Sequence, residues 1–487
     1  MPPIVATILC FIGIFWLFSL DREGPEKTSK ALWIPVIWLL IGGSRNVGQW
    51  IQMSSPMDRS ERYLDGNPID RAVLGLLMLL GLIVLFKRQR QVLTILRSSG
   101  PVLLFFFYCM VSCVWSEYPD VALKRWVRGL GDLVMVLVIL TEPYWIRGLK
   151  RVMTRAAILL YPLSILFIRY YPDLGRGYNN AGSTMFWTGV TTDKNGLGMI
   201  CLVFGLGTVW RFLEIYEGRE GDDIKKPRLA QGILVIFMSW LLYESNSMTS
   251  IMCFVLSGTI MLMIERWPVS RKPVVAAGLA CGAVALSAFV LFGGAGAVLE
   301  LIGRNPSLTG RTEVWQALLP LAQNKLVGSG YESFWLGGRL KTMGVLTDDS
   351  INEAHNGYLE IYLNLGWVGL IVLGIVIVTG FRKVIRTISQ APMIGALMMA
   401  YFVSTLLYNF TEAAFKMMSP VWIMFLVSMM ALPEAEALEP VPSVDSPPNR
   451  RFERLQPRFG NSLRSGPSRE NVKTVRTRPI TTVRRSS

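Results

Sequence analysis

The chain has 487 residues, 52% hydrophobic and only 17% charged, with a formal net charge of +15. Soluble domains carry about 25% charged residues, so this composition, with a mean hydropathy of +0.41, excludes an ordinary soluble protein and reads as integral to a membrane. The charge excess does not mark a nucleic-acid-binding domain: from Arg450 to Arg485 eleven Lys/Arg stand against two acids, Glu453 and Glu470, which places +9 of the +15 in one terminal stretch.

The first apolar run, "PPIVATILCFIGIFWLFSL", has no basic n-region and no small-x-small cleavage pattern, so it reads as a span and not as a signal peptide. The next, "ALWIPVIWLLIGG" at 31–43, is short and interrupted by Pro35; runs of this length are more often re-entrant or interfacial. Eleven further runs follow, from "VLGLLMLLGLIVLF" through "PVWIMFLVSMMAL". With flanking aromatics most approach the roughly 20 residues that cross a bilayer. Basic turns fix their sense. "FKRQRQVLTILR", Arg147/Lys150/Arg151, Arg211 to Arg228, Arg266/Arg271/Lys272 and Arg382/Lys383/Arg386 fall on the cytoplasmic side. The loops around 117–128, 172–194, 246–248, 294–357 and 411–415 then face outside. The pattern predicts twelve spans with both termini inside and 31–43 on the outer surface; if 31–43 spans, the N-terminus lies outside.

The expected fold class is therefore an all-α polytopic membrane protein of about 12 transmembrane helices, with one large helical outer loop and a disordered basic C-terminal tail. Its parts are helices with short loops at 1–293, the large loop at 294–357, C-terminal helices at 358–433 and a cytoplasmic tail at 434–487. That tail, rich in Pro, Ser and Arg, suits anionic lipid better than nucleic acid. Cys10, Cys109, Cys113, Cys201, Cys253 and Cys281 fall within spans or at their edges, so neither a disulfide framework nor a zinc spacing is present.

The outer loop of about 60 residues far exceeds the usual connection in a helix bundle and has the composition of ordered structure. "SLTGRTEVWQALLPLAQN" carries Val314, Leu318 and Leu321 at helical spacing, with Ser307 or Thr309 as cap and Gly310 at the turn. Arg304 and Arg311 place two guanidiniums near the membrane surface, a fork suited to bidentate grip on phosphate oxygens. Arginines at such places more often snorkel to headgroups; Arg311 stands out because it opens a helix beside Trp315. The only histidine, His355, lies where the chain re-enters the apolar phase. It is the one side chain here that exchanges a proton near neutral pH unaided, which suits a general base; a packing or capping histidine is the plainer alternative. Asp348, Asp349 and Glu353 stand near enough in sequence to orient it, and Glu412 sits in the last outer turn.

"HNGYLEIYLNLGWVG", with His355-Asn356, nine residues, Gly366, two residues and Gly369, resembles the motif of the bacterial O-antigen ligase and O-antigen polymerase superfamily. "GRTEVWQALLPLAQNKLVGSGYESF", "RNPSL" and "GVTTDKNGLG" are similar to further segments of that superfamily. "WSEYPDVALKRWVRGLGD", "SRNVGQW" and "GNPIDR" resemble its exopolysaccharide, succinoglycan-type polymerases. One departure is Asp193-Lys194-Asn195, where many relatives read His-Lys-Asn; an acid at 193 weakens any proton-transfer role there.

The resemblance implies a metal-independent, inverting glycosyltransferase of the bacterial inner membrane, with its site on the periplasmic side and no cofactor. His355 and Arg311 would be catalytic. Arg304, Lys194 and Arg128 would hold the diphosphate, with Asn195, Asn356, Glu353 and Glu412 lining the site, and Arg125, Arg169 and Arg176 would extend a basic rim. The partners would be an undecaprenyl-diphosphate-linked oligosaccharide donor, a glycan acceptor, membrane lipid, and flippase and chain-length-regulator proteins, but no nucleic acid. A polymerase joins repeats, whereas a ligase transfers to lipid A core, and no motif here separates the two. A flippase for the same lipids would predict mid-span charges and a repeat of two halves, and few such charges and no convincing repeat are found. A structural subunit of a secretion complex is a third class.

Overall fold

The computed structural model describes residues 1–21, 28–51, 66–178, 184–217, 225–289, 311–339 and 353–431, with the backbone alone for 288–289 and 311–313. Its helices are α1 (Pro3–Leu20), α2 (Trp33–Gly42), α3 (Pro68–Lys87), α4 (Gln89–Ser98), α5 (Gly100–Ser112), α6 (Pro119–Leu140), α7 (Trp145–Tyr170), α8 (Lys194–Tyr216), α9 (Lys225–Ser245), α10 (Met248–Arg266), α11 (Pro273–Phe289), α12 (Arg311–Leu318), α13 (Gly357–Gln390), α14 (Pro392–Tyr408) and α15 (Pro420–Met430). Between α7 and α8, β1 (Arg176–Tyr178) and β2 (Met185–Trp187) form a small antiparallel hairpin.

Local chemistry sets the helix starts. Pro3, Pro68, Pro119, Pro392 and Pro420 open their helices, where a missing N–H costs nothing. Asn67, Asp193 and Asn356 accept from first-turn amides of α3, α8 and α13. Among the described residues six helices, α1, α3, α7, α8, α10 and α13, are long and apolar enough to cross a membrane. Ile4, Ile8, Phe11 and Phe15 of α1 are exposed, an apolar face that hydrocarbon solvates. The architecture is thus an all-α membrane protein.

Polar contacts distinguish the two ends of the bundle. At one end Asp21, just after α1, pairs with Arg151 at 2.8 Å and Arg211 at 2.7 Å, Lys150 with Glu214 at 2.6 Å, and Arg88 with Glu142 at 2.7 Å. These are the basic turns expected to be cytoplasmic. The opposite end carries the hairpin, the start of α8, the segment 311–339 and His355.

The path of α1 and α2 corrects one expectation. Thr7 in α1 meets Tyr171 at 2.8 Å, beside the hairpin, while Asp21 lies at the basic end. Before α2, the Ser29 amide donates to Glu142 at 2.7 Å, at the basic end, and after it Arg45 donates to the carbonyl of Thr191 at 3.0 Å, at the other end. Residues 31–43 therefore run from the basic end to the end bearing His355, and they do not lie on the outer surface. The start of α1 then sits at the His355 end, opposite the basic turns with which it was expected to lie. The reason is burial: Val36, Trp38 and Leu39 are enclosed by neighbouring helices, so α2 is freed from the length that lipid imposes on an exposed span.

α2 also steadies the site. Trp38 donates its indole N–H to Asp132 Oδ1 at 2.8 Å, and the other oxygen of Asp132 accepts the Met418 amide at 2.9 Å. This buried carboxylate, satisfied on both oxygens, ties α2 and α6 to the loop between α14 and α15.

Candidate functional site

The site is built where two loops cross. Asn356 caps α13 by accepting from the Leu359 amide at 3.0 Å, and its own amide donates to the Phe410 carbonyl at 3.3 Å. The Gly357 N–H reaches the carbonyls of Asn409 at 2.9 Å and Glu412 at 3.0 Å. A Cβ at Gly357 would collide with the Asn409 side chain, so glycine lets the loops touch. This clamp holds His355 at φ +47°, a left-handed conformation that bulky residues seldom adopt.

His355 Nδ1 lies 3.2 Å from Glu353 Oε1 and 3.3 Å from Glu412 Oε2. The far oxygens of both acids are held in turn: Lys416 Nζ donates to Glu353 Oε2 at 2.6 Å, and the Asn195 amide to Glu412 Oε1 at 2.9 Å. Facing carboxylates, Nδ1 is the nitrogen that carries the proton, which gives Nε2 the lone pair. The His355 side chain is 36% exposed and that of Glu412 only 6%. The arrangement is a solvent-accessible imidazole backed by anchored carboxylates, the geometry of an oriented general base. Glu353, His355 and Glu412 also offer one ligand atom each within 4.8 Å, a spacing a divalent ion would accept. The Lys416 ammonium balances Glu353, however, and the hydrogen bonds described here occupy Nδ1 and both oxygens of each acid.

Cations and a further acid flank this group. Glu332, at φ +52°, carries a carboxyl that burial pushes up, opposed by the nearby charges of Arg125, Lys416 and Arg128. Burial would lower the Lys416 ammonium, but Glu353 outweighs it and raises the pKa above the ordinary lysine range. Arg125 donates to the Glu332 carbonyl. Arg128, half-buried on α6, has Asp70, Arg125, Asp132 and Arg71 as its charged neighbours.

The segment 311–339 is seated on the first half of α13. The helix expected from Val314, Leu318 and Leu321 is present as α12, which ends at Leu318 and passes into a 3-10 turn at Leu319–Leu321, and those side chains pack with Phe334, Trp335, Ala354 and Leu363. The Trp315 indole donates to the Ala354 carbonyl at 2.8 Å, one residue before His355. The Trp335 indole donates to Glu360, which also accepts the Ala354 amide at 2.6 Å. At Gly366 (φ +66°, ψ −165°) α13 breaks. Ser329 and Gly330 amides then bond to the carbonyls of Leu363 and Asn364, while Trp367 and Val368 amides bond to those of Lys325 and Leu326. The glycines eleven and fourteen residues after His355 thus mark where the outer segment locks onto the helix.

The structure brings together His355, Glu353, Glu412, Asn195 and Asn356, with Arg128 and Arg125 near Glu332. Lys194 faces away from them, into a cleft bounded by β2 and the end of α9. Arg176 lies over Trp187 at 5.0 Å and Arg169 over Trp240 at 4.9 Å. Arg311 opens α12, but its side chain, together with Arg304, Asp348 and Asp349, lies outside the described residues. Sequence reasoning missed Glu332, Lys416 and Glu360. Lys416 sits four residues after Glu412 in "TEAAFK", a spacing that carries no signal unless the turn's shape is known.

Residues 233–374 match the O-antigen ligase family, a window that holds His355, Gly366 and α12. The chain is also 25% identical over 397 residues, 77% of its own length and 87% of the relative's, to the exopolysaccharide production protein ExoQ of Rhizobium meliloti (strain 1021). The chain is thus similar to the O-antigen ligase family over residues 233–374 and to an exopolysaccharide production protein over most of its length.

Proposed function

We propose that the protein is a polyprenyl-diphosphate-dependent glycosyltransferase of the bacterial inner membrane, joining undecaprenyl-diphosphate-linked glycan units on the periplasmic side. The observation that carries this reading is His355, accessible at the end of the bundle, with Nδ1 held by Glu353 and Glu412 at 3.2 and 3.3 Å. The similarity to an exopolysaccharide production protein favours polymerisation of repeats. The O-antigen ligase match keeps transfer to lipid A core as the second reading.

In this mechanism the acceptor hydroxyl gives its proton to His355 Nε2 while its oxygen attacks the anomeric carbon in line. The anomeric C–O bond to the diphosphate breaks, its electron pair leaves with the diphosphate, and configuration inverts. Glu412 and Glu353 stabilise the imidazolium as it forms. Arg311, Arg304 and Arg128 are assigned to the leaving diphosphate, whose growing charge guanidiniums offset better than water does. The scheme assigns that charge to the chain's own cations.

The test is glycan transfer by variants in a strain lacking the wild-type protein, with protein abundance measured in the same membranes. A general base contributes about 10²–10⁴-fold, so His355→Ala should leave trace polymer at normal abundance. His355→Gln keeps a hydrogen bond but accepts no proton at neutral pH, and should fail as badly. Full-length polymer from the glutamine variant would show that His355 only orients the acceptor.

A further inference from the structure

The line of contacts through the site has a cation-rich end and an open end. Arg125 and Arg128 lie beside Glu332, Lys416 bridges toward Glu353, and His355 follows between Glu353 and Glu412. Beyond it, Glu412 accepts from Asn195 on the first turn of α8. The residue just before, Lys194, turns into a cleft of about 650 Å³ walled by Thr184 and Trp187 of the hairpin segment and by Tyr243, Glu244 and Asn246 at the end of α9. His355 therefore stands between a cluster of cations and a cleft, linked to the cleft by two consecutive residues of one helix.

We infer that this cleft is a carbohydrate subsite that holds the terminal sugars of the acceptor glycan, rather than part of the diphosphate site. The inference rests on the glycosyltransferase reading above.

Its size falls within the roughly 300–1,000 Å³ typical of small-molecule sites. The lining combines three aromatic rings, Phe186, Trp187 and Tyr243, with a carboxylate, an amide, several hydroxyls and an ammonium. Aromatic faces pack against the C–H surface of a pyranose, while the polar groups meet its hydroxyls in both donor and acceptor senses. Diphosphate would need several cations, and the cleft sets its one lysine against Glu244, a carboxylate that repels phosphate. An aromatic belt at the lipid interface is the plain alternative for Trp187 and Tyr243. Glu244 and Lys194 tell against it, because belt residues face lipid and enclose no polar space. Arg176 over Trp187 fixes the indole from outside the cleft's lining, which spares the rotamer entropy of ordering it on binding. The donor's anomeric carbon is tied to its diphosphate and so belongs on the cation side. The nucleophilic hydroxyl must then approach His355 from the other side, where the cleft lies.

The probe is the lipid-free repeat-unit oligosaccharide released from the polymer made by the cell that carries this protein, titrated against full-length protein in nanodiscs by calorimetry, with inorganic pyrophosphate as competitor. The oligosaccharide should bind, and saturating pyrophosphate should not displace it. Trp187→Ala should weaken binding about tenfold, the scale of one lost stacking partner, and Glu244→Gln, which keeps the fold's shape, should weaken it as well. Arg128→Ala should leave it unchanged. Absence of binding to the wild-type protein, displacement by pyrophosphate, or unaltered affinity in both Trp187→Ala and Glu244→Gln overturns the assignment. Polymer synthesis by His355→Gln would instead refute the base mechanism while leaving this binding result to stand.

Discussion

Replacing Gly366 by alanine is the sharpest test of how the outer segment is joined to the membrane helices. The residue sits at φ +66°, ψ −165°, a region that is essentially glycine's alone and costs other residues about 1–3 kcal/mol. Space is denied as well, since a Cβ there would collide with the backbone of Leu326 and Val327. Those atoms cannot swing aside as a side chain would. To make room, the turn Lys325–Gly330 must lift from α13, which gives up the bonds Ser329→Leu363, Gly330→Asn364, Trp367→Lys325 and Val368→Leu326. At about 0.5–1.5 kcal/mol each, their loss amounts to about 2–6 kcal/mol. The sum is large for a local contact but is confined to the break, so the outer segment should open while the bundle persists. Hydrogen–deuterium exchange reads this directly: the amides of Ser329 and Gly330 should lose protection in Gly366→Ala, and glycan transfer should fall with them because Trp315 and Trp335 brace Ala354 beside His355. Gly374→Ala is the control. It lies in the same helix with nothing within 4 Å of its Cβ position and should be neutral or stabilising by about 0.5–1 kcal/mol. Unchanged protection at Ser329 and Gly330 in Gly366→Ala would refute the account of the break.

Three further expectations follow from the geometry. Burial raises the Glu332 carboxyl, so its neutral form is the one the fold favours; its contribution is present below the ordinary glutamate range and is lost as pH rises through the raised value. Glu332→Gln should therefore unfold at an equal or higher temperature than the parent at neutral pH, with the difference vanishing in acid, and a lower midpoint at neutral pH would contradict this. For topology, a cysteine at Gln323 and a tag at the N-terminus should both react with an impermeant reagent from outside, whereas a cysteine at Ser465 should not; an N-terminus shielded with Ser465 would restore the reading with both termini inside. Arg311→Lys keeps a point charge but loses the planar fork, so it should be nearly as damaging to glycan transfer as Arg311→Ala, whereas Arg304→Lys should retain partial activity; parental polymer from Arg311→Lys would remove the bidentate contact from the mechanism.

Much of this protein could be read without coordinates, because hydrocarbon is an undemanding judge of sequence. A helix that crosses the full hydrocarbon thickness must be long and apolar, which is why α1, α3, α7, α8, α10 and α13 show in the composition of their stretches. Helix starts at Pro3, Pro68 or Asn356 follow from local hydrogen-bonding chemistry, and α12 follows from the spacing of Val314, Leu318 and Leu321. The lone histidine at a polar-to-apolar boundary marked the candidate site, since proton exchange near neutral pH needs a side chain that titrates there. Tertiary structure decided what no local rule reaches. Whether 31–43 crosses depends on being walled in by α6 and α7, since a buried helix escapes the length rule that makes spans legible. That Lys416 and Asn195 hold the acids behind His355 depends on contacts 63 and 217 residues apart in the chain. The same long-range folding separates Lys194 from its neighbour Asn195, placing one at the cleft and the other on Glu412, and a sequence has no register for that choice until α8, α9 and the loop after α14 are packed together.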